Sequence, residues 1–387
     1  MTRSTANSPQ AGALDIGHRL EERHGIRLLD VIRNDALSIS RKRELMTTRL
    51  LESLLTDLAQ HHEGAQLAAP FDSSTAAVSA ILAEAVEVEP NLIFREVDAN
   101  QIRNYKGRQV YDFVYGLSER LESMARAKTE GQLAAEMVAA GLVSIGVSMG
   151  VGTAKALVGG AALGAAVGAG IASIGFATAI GVVAVVLVLF LLFLLLENPK
   201  KLLGIVLNDT DEDFVVVDWR RGVDGDEGGD LYMQHGRMER FPQDSATGQL
   251  DSPKVQLRKR FFFAPGDPDN FVCAGMFFAD KNFGFRGAEG IMVFTSLQSP
   301  VAIPLQFAVP YTNDNGANVR VMPRRPNPGS LPSLFRTMYD SRGVRVEKDE
   351  LGYRVISTVN DPRGGVVALI GSIWSRGAAS ETSASDP

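Results

Sequence analysis

Residues Arg286–Tyr311 read RGAEGIMVFTSLQSPVAIPLQFAVPY. Two runs rich in branched and aromatic residues, Ile291–Ser296 and Val301–Val309, flank a polar, proline-containing turn, which is the pattern of two short strands joined as a hairpin. Outward from this stretch the texture recurs in Phe214–Trp219, Arg260–Phe263, Phe271–Phe278, Tyr353–Ser357 and Gly365–Trp374. Turn formers separate the runs at Asn208–Asp209, Asp224–Gly225, Gly266–Asp267, Asn313–Gly316 and Asn360–Gly365. Strands this short, with turn signals this dense, predict an antiparallel β-sandwich over 203–375. One helical interruption is expected at Ser330–Asp340, where Leu331, Leu334, Phe335, Met338 and Tyr339 share a side.

The chain has 387 residues, which leaves room for two domains or two and a connector. A single cysteine, Cys273, excludes an intrachain disulfide framework and any zinc site built on paired cysteines. A formal net charge of -6 argues against a general nucleic-acid binder, which would show a basic excess.

Apolar residues are distributed very unevenly. From Met137 to Leu196 the one charged side chain is Lys155, dividing the run into 137–154 and 156–196. A helix rises about 1.5 Å per residue and a bilayer core is about 30 Å thick, so roughly 20 residues make one span. The second piece alone is long enough for two. Gly146 and Gly150 are four residues apart, as are Gly160, Gly164 and Gly168, a spacing that stacks glycines along one helix face and lets two helices approach closely in lipid. The last third, with Val182, Leu187, Phe190 and Phe193, is bulky, and it ends at Glu197–Lys201 with a proline and two lysines. The expectation is a membrane-inserting helical hairpin over 137–198. Turns are placed near Thr153–Lys155 and Ser173–Thr178, so the sequence admits either two crossings or three.

Residues 13–136 are expected to form a helical bundle. Leu50, Leu51, Leu54, Leu55 and Leu58 recur at three–four spacing; Ala77–Val86 form a second apolar stretch between Pro70 and Pro90; a third helix beginning near Asp98 bears Val110, Phe113, Val114, Leu117, Leu121 and Met124. Residues 1–12 are polar, with no apolar signal region, and are expected to be a disordered leader, as is the tail 376–387. The fold class expected from these parts is α+β and multidomain.

The quoted segment resembles the sandwich core of the actinoporins, pore-forming cytolysins of sea anemones. There a Gly-Ala-x-x strand, a polar turn, an aliphatic strand and a Phe-x-Val-Pro-aromatic motif follow in the same order. Gly204–Phe214 resembles that family's opening strand, Leu334–Asp340 its aromatic helix and Gly352–Ile370 its closing hairpin. The resemblance implies a headgroup site on the sandwich, at positions that here are Arg221, Glu289, Ala308, Pro310, Tyr311, Phe335 and Tyr339. It implies lipid binding; homo-oligomers are expected from the glycine faces at Gly160, Gly164 and Gly168, and no cofactor is expected. Ala308 stands where the family has serine, and Arg221 and Glu289 where it has a small polar residue and a valine. The loop after Tyr311 has none of the family's tryptophans, which removes most of an aromatic cage for a quaternary ammonium. An arginine in the pocket would favour a phosphate or carboxylate instead.

The expected function is therefore that of a pore-former: released without a classical signal peptide, soluble at first, then docked on a target membrane and inserted as an oligomer. The alternative is a permanently anchored protein with a lectin-like or lipid-binding sandwich. No catalytic motif appears in a credible context, so no enzyme, metal or nucleic-acid function is expected. Asp224, Asp226, Glu227 and Asp230 crowd one loop but lack the twelfth-position glutamate of a calcium loop, where His235 stands. Adjacent His61 and His62 point about 100° apart on a helix and cannot share a metal. Arg320, Arg324 and Arg325 form a basic loop. Gly164→Leu should lower dye release from liposomes while leaving the sandwich folded by circular dichroism; unchanged release contradicts the glycine-face reading.

Overall fold

The computed structural model describes residues 9–34, 36–37, 41–42, 45, 49, 91–125, 142–145, 200–217, 229–238, 255–262, 270–281 and 286–375. Two β-sheets packed face to face form its centre. The first runs in the order β13 (Arg345–Glu350), β14 (Tyr353–Val359), β15 (Val366–Ser375), β3 (Lys201–Asp209), β9 (Asn270–Asp280), β1 (Asn91–Arg95) and β2 (Leu142–Ile145). The short strands β6 (Arg237–Met238) and β8 (Phe261–Phe262) also pair with β9. In the second sheet β12 (Gly316–Val319), β11 (Ala302–Val309), β10 (Ala288–Ser296), β4 (Phe214–Val216) and β7 (Val255–Leu257) follow one another, and β5 (Leu231–His235) pairs with β10.

Period-two alternation sorts the side chains. Along β10, Met292 and Phe294 enter the core between the sheets, while Ile291 and Val293 face outward beneath a helix. Along β11, Ile303, Leu305, Phe307 and Val309 point inward. Opposite them stand Leu202, Val206, Phe277, Val355 and Leu369 of the first sheet. Both outer faces are covered as well. On the second sheet, helix α5 (Leu331–Asp340) buries Leu331, Phe335 and Met338 against Ile291, Val293 and Ala302, as its apolar spacing predicts. On the first, helix α4 (Arg108–Ala125) packs on β15 and β3. There Tyr115 Oη donates to the Val367 carbonyl at 3.2 Å, and the Phe113 ring lies 5.9 Å from that of Phe94 on β1. Burial raises the Tyr115 hydroxyl well above its ordinary range, so it remains a donor.

Several expectations are corrected. The sandwich is not wholly antiparallel: β15 runs parallel to β3 over nine register pairs, because the last strand returns beside the first from across the whole intervening fold. Asn91–Arg95, between two expected helices of the helical domain, and Leu142–Ile145, inside the expected helical hairpin, are strands paired to each other and, through β1, to β9. The nearest partner available to these short apolar segments is a sheet edge, and edge pairing satisfies their backbone groups. The third helix is two, α3 (Glu96–Ile102) and α4, separated at Gly107, whose φ of +53 is left-handed. Helix α1 (Pro9–His24) begins inside the expected leader and packs on α2 (Leu28–Arg33). Asn208 and Asp209 end β3, and the turn falls after them.

The helices expected around Leu50–Leu58 and Ala77–Val86 lie outside the described residues, as do the tail 376–387 and all of 146–199. Among the described residues no helix is long and apolar enough to cross a membrane.

At the end of the sandwich bearing the β10–β11 hairpin, one carboxylate ties three segments. Glu212 accepts from Tyr353 Oη at 2.7 Å, Ser299 Oγ at 2.7 Å and Ser296 Oγ at 2.5 Å. Burial pushes its acidity one way, but the three hydroxyls together hold the carboxyl below its usual range.

On the core face of the first sheet, Gly204 leaves a position without a side chain. A Cβ on Gly204 would stand 2.1 Å from the Phe277 ring, which lies directly across the ladder on β9. Gly204→Ala should destabilise the sandwich by about 1–3 kcal/mol in denaturant unfolding; an unchanged midpoint contradicts this packing.

Candidate functional site

The opposite end of the sandwich gathers most of the expected site residues. Across the outer face of the second sheet, Glu289 on β10 stands beside Ala308 on β11, and Ala308 beside Gly316 on β12. On its other side Glu289 is in register with His235 of β5. Helix α5 crosses above this row. Tyr339 Oη donates to Glu289 Oε1 at 3.3 Å, and His235 Nε2 lies 3.8 Å from Glu289 Oε2.

Aromatic rings continue along the helix. The Phe335 and Tyr339 centroids are 5.5 Å apart, and Tyr232 meets Phe335 edge-on at 5.9 Å. The Arg342 guanidinium sits 3.7 Å over the Tyr339 ring, while its Nη1 donates to the Tyr339 carbonyl and Nη2 to that of Asp314. Pro310 and Ala308 are buried, whereas Tyr311 is 47% exposed at the rim.

This is also the end at which the apolar run rejoins the fold. Asn315 Nδ2 and Lys200 Nζ both donate to the Gly364 carbonyl, at 3.2 and 3.1 Å, and the Lys201 amide donates to that of Gly365 at 2.7 Å. Asp314 pairs with Arg363 across the same rim. One step inside, Lys201, Asp280 and Arg237 form a row across β3, β9 and β6. Asp280 accepts from Arg237 at 3.0 and 3.4 Å, and Lys201 is fully buried. Burial draws the Lys201 ammonium down to about 8, against the opposing pull of Asp280.

The run's other flank points the same way. Leu142 is level with Phe94 and hence with Val272, and Ile145 with Leu92 and hence with Ala274. Strand β2 therefore advances in the direction in which β9 runs, towards Asp280 and its partner Lys201. Two strands, β1 and β9, separate β2 from β3. At about 4.8 Å per step the two flanks of 146–199 are offset by roughly 14 Å across the sheet, and Ile145, level with Ala274, stands six residues, roughly 20 Å, short of the level of Lys201 and Asp280 along it.

Of the residues expected at the headgroup site, Glu289, Ala308, Pro310, Tyr311, Phe335 and Tyr339 share this end, and Arg221 lies outside the described residues. So do Gly146, Gly150, Gly160, Gly164, Gly168, Val182, Leu187, Phe190 and Phe193. His235 and Arg342 were missed as members: the first because it reads as the vacant twelfth position of a calcium loop, the second because it lies past the end of the helix, where its stacking on Tyr339 three residues earlier depends on how the chain turns. Asp230, from the acidic loop, is engaged elsewhere. It accepts from Arg325 at 2.6 Å and from the Val217 amide at 3.1 Å, and burial raises its carboxyl above the ordinary range.

No family model matches the chain, and no curated protein does. Among solved structures it is similar to the lipid binding protein Nakanori, with 11% identity and a TM-score of 0.31 over 46% of this chain and 72% of that one. It is also similar to a mutated form of the Xerocomus chrysenteron lectin XCL, with 9% identity and a TM-score of 0.23 over 46% of this chain and 99% of the lectin.

The buried lysine gives a pH signature. Because the folded state holds the Lys201 proton less tightly than the unfolded chain, the unfolded chain binds more protons between about pH 8 and the ordinary value of 10.5. Stability should therefore rise as pH increases through 8 to 10. Denaturant midpoints measured across that window should show the rise, and Lys201→Met should flatten it; equal slopes contradict the assignment.

Proposed function

We propose that this chain acts on membranes: the sandwich docks by the end bearing Tyr311, and the apolar run 146–199 enters the bilayer there as a glycine-rich helical hairpin that assembles with other copies and permeabilises it. The observation that supports this reading most is that both flanks of the run face one end of one sheet. A segment that leaves and returns on the same side of a bilayer crosses it an even number of times. Its length suits two spans of roughly 20 residues with a turn between them.

Burial of such a segment contributes about 25 cal/mol per Å² of apolar surface, enough to dominate the energetics of the membrane-bound state. Glycines at four-residue spacing favour close helix approach within and between copies. Lys200 and Arg363 stand at the rim, where basic side chains meet anionic headgroups favourably. In this reading the soluble form precedes insertion, and release from the producing cell uses no classical signal peptide.

A second reading is a permanent anchor that displays a lipid- or glycan-binding sandwich. It is favoured by the pairing of Leu142–Ile145 into the sheet, which fixes the run's first flank without any rearrangement. Expression without detergent separates the two. A water-soluble monomer or discrete oligomer that releases dye from liposomes supports the pore-former. Recovery only from the membrane fraction, with sealed liposomes, supports the anchor. Replacing 146–199 by a glycine–serine linker should abolish release and leave the sandwich folded; full release by that variant overturns both.

A further inference from the structure

Polar atoms without partners gather beneath α5. Gln306 is fully buried, yet among the described residues neither its Oε1 nor its Nε2 has a hydrogen-bond partner. Directly across the ladder, Asn318, 2% exposed, donates to the Met338 carbonyl and to Ser341 Oγ, both at 2.8 Å, but leaves its Oδ1 unused. Arg342 Nε is likewise buried and unpartnered. An orphaned buried amide is costly, so four such atoms around one helix terminus call for a guest that can both donate and accept.

The adjoining row carries small residues. Ala308 and Gly316 lie two residues along their strands from Gln306 and Asn318, on the same face. The Arg342 stem covers the gap over Gly316, where an added Cβ would meet its Cγ at 3.0 Å. Glu289, 6% exposed, borders the row, a diagonal neighbour of Gln306 at about 7 Å. Tyr339 and Arg342, both half-buried, lie over the row at its rim.

From this we infer that the face beneath α5 is a recognition site for a polyol, a sugar ring or inositol whose adjacent hydroxyls are met by the Gln306 and Asn318 amides, the Glu289 carboxylate and Arg342 Nε. The chemistry follows from the donor set. A carboxylate at the rim repels phosphate, while neighbouring hydroxyls each offer one donor and acceptors, matching an amide fork. Aromatic rings at Tyr339 and Phe335 supply the apolar side that a sugar ring's C–H face needs. The inference deepens the docking reading above, since it names what the docked end recognises, but it does not depend on insertion of the apolar run.

The test uses the full chain, with methyl α-D-glucopyranoside and myo-inositol as soluble probes, phosphocholine as the ionic comparison, and phosphatidylcholine vesicles with or without glucosylceramide. Saturation-transfer NMR and vesicle co-sedimentation read binding. Binding of a soluble polyol identifies a free glycan as sufficient; binding confined to glucosylceramide vesicles identifies a lipid-borne headgroup; either supports the site. Gln306→Leu should weaken that binding about tenfold, the effect of one lost hydrogen bond, and raise the melting temperature by removing an orphaned amide. A lowered melting temperature would mean the amide is paired and overturns the inference. So does binding unchanged by Gln306→Leu, or binding of phosphocholine alone. Absence of all binding overturns it as well, and means that a single buried water suffices for these atoms. Dye release from plain phosphatidylcholine vesicles is unaffected by any of these outcomes, so failure here is distinguishable from failure of the docking and insertion reading.

Discussion

Strand β3 is buried along its whole length, and almost everything else is positioned by its two ladders. It pairs antiparallel with β9 and parallel with β15, so the first sheet is closed around a strand whose N-terminus is also the end of the apolar run. A fully paired strand with apolar residues on both faces needs cover on both sides. The second sheet supplies one cover and α4 the other. Slipping β3 by one residue would exchange Leu202 and Val206 with Leu203, Ile205 and Leu207, and would drive the Phe277 ring against a side chain instead of Gly204. The place and direction in which the run leaves the sandwich are therefore fixed by the core itself.

The two ends of the sandwich are held in different ways. At the β10–β11 hairpin, hydroxyls converge on Glu212, and a nearly buried Arg103 donates to Asp209 at 2.7 Å while its guanidinium stacks 4.8 Å from the Trp374 ring centroid. This end is tied together by side chains that bridge separate segments of the chain. At the Tyr311 end, polar groups are buried with incomplete partners, an arginine rests on a tyrosine face, and an aromatic is exposed.

Legibility in the sequence followed the physics of periodicity. Strands β10 and β11 were readable because alternation sorts them cleanly into core and outer faces, and α5 because Leu331, Phe335 and Met338 fall on one helical stripe. Strands β1 and β2 were not readable. Leu142–Ile145 sits among uncharged residues on both sides, where a strand and a helix look alike, and Asn91–Arg95 lies between a proline and a helix start. The parallel β15–β3 ladder leaves no local mark, because turn residues announce hairpins and nothing announces partners far apart in the chain. Within the site, Glu289, Phe335 and Tyr339 could be placed from sequence. The orphaned Gln306 could not, since an amide in an apolar strand reveals its lack of partners only when the helix above it is in place.

The central claim is that one end of the sandwich holds both flanks of the apolar run on the same side of the membrane. Thiol labelling of vesicle-bound protein tests it most directly, since the natural Cys273 is buried. With cysteine placed at Lys200 or at Ser173, an impermeant maleimide should reach the first only from outside the vesicle and the second only from the lumen. Labelling of both from outside, or of Lys200→Cys from the lumen, would contradict the account.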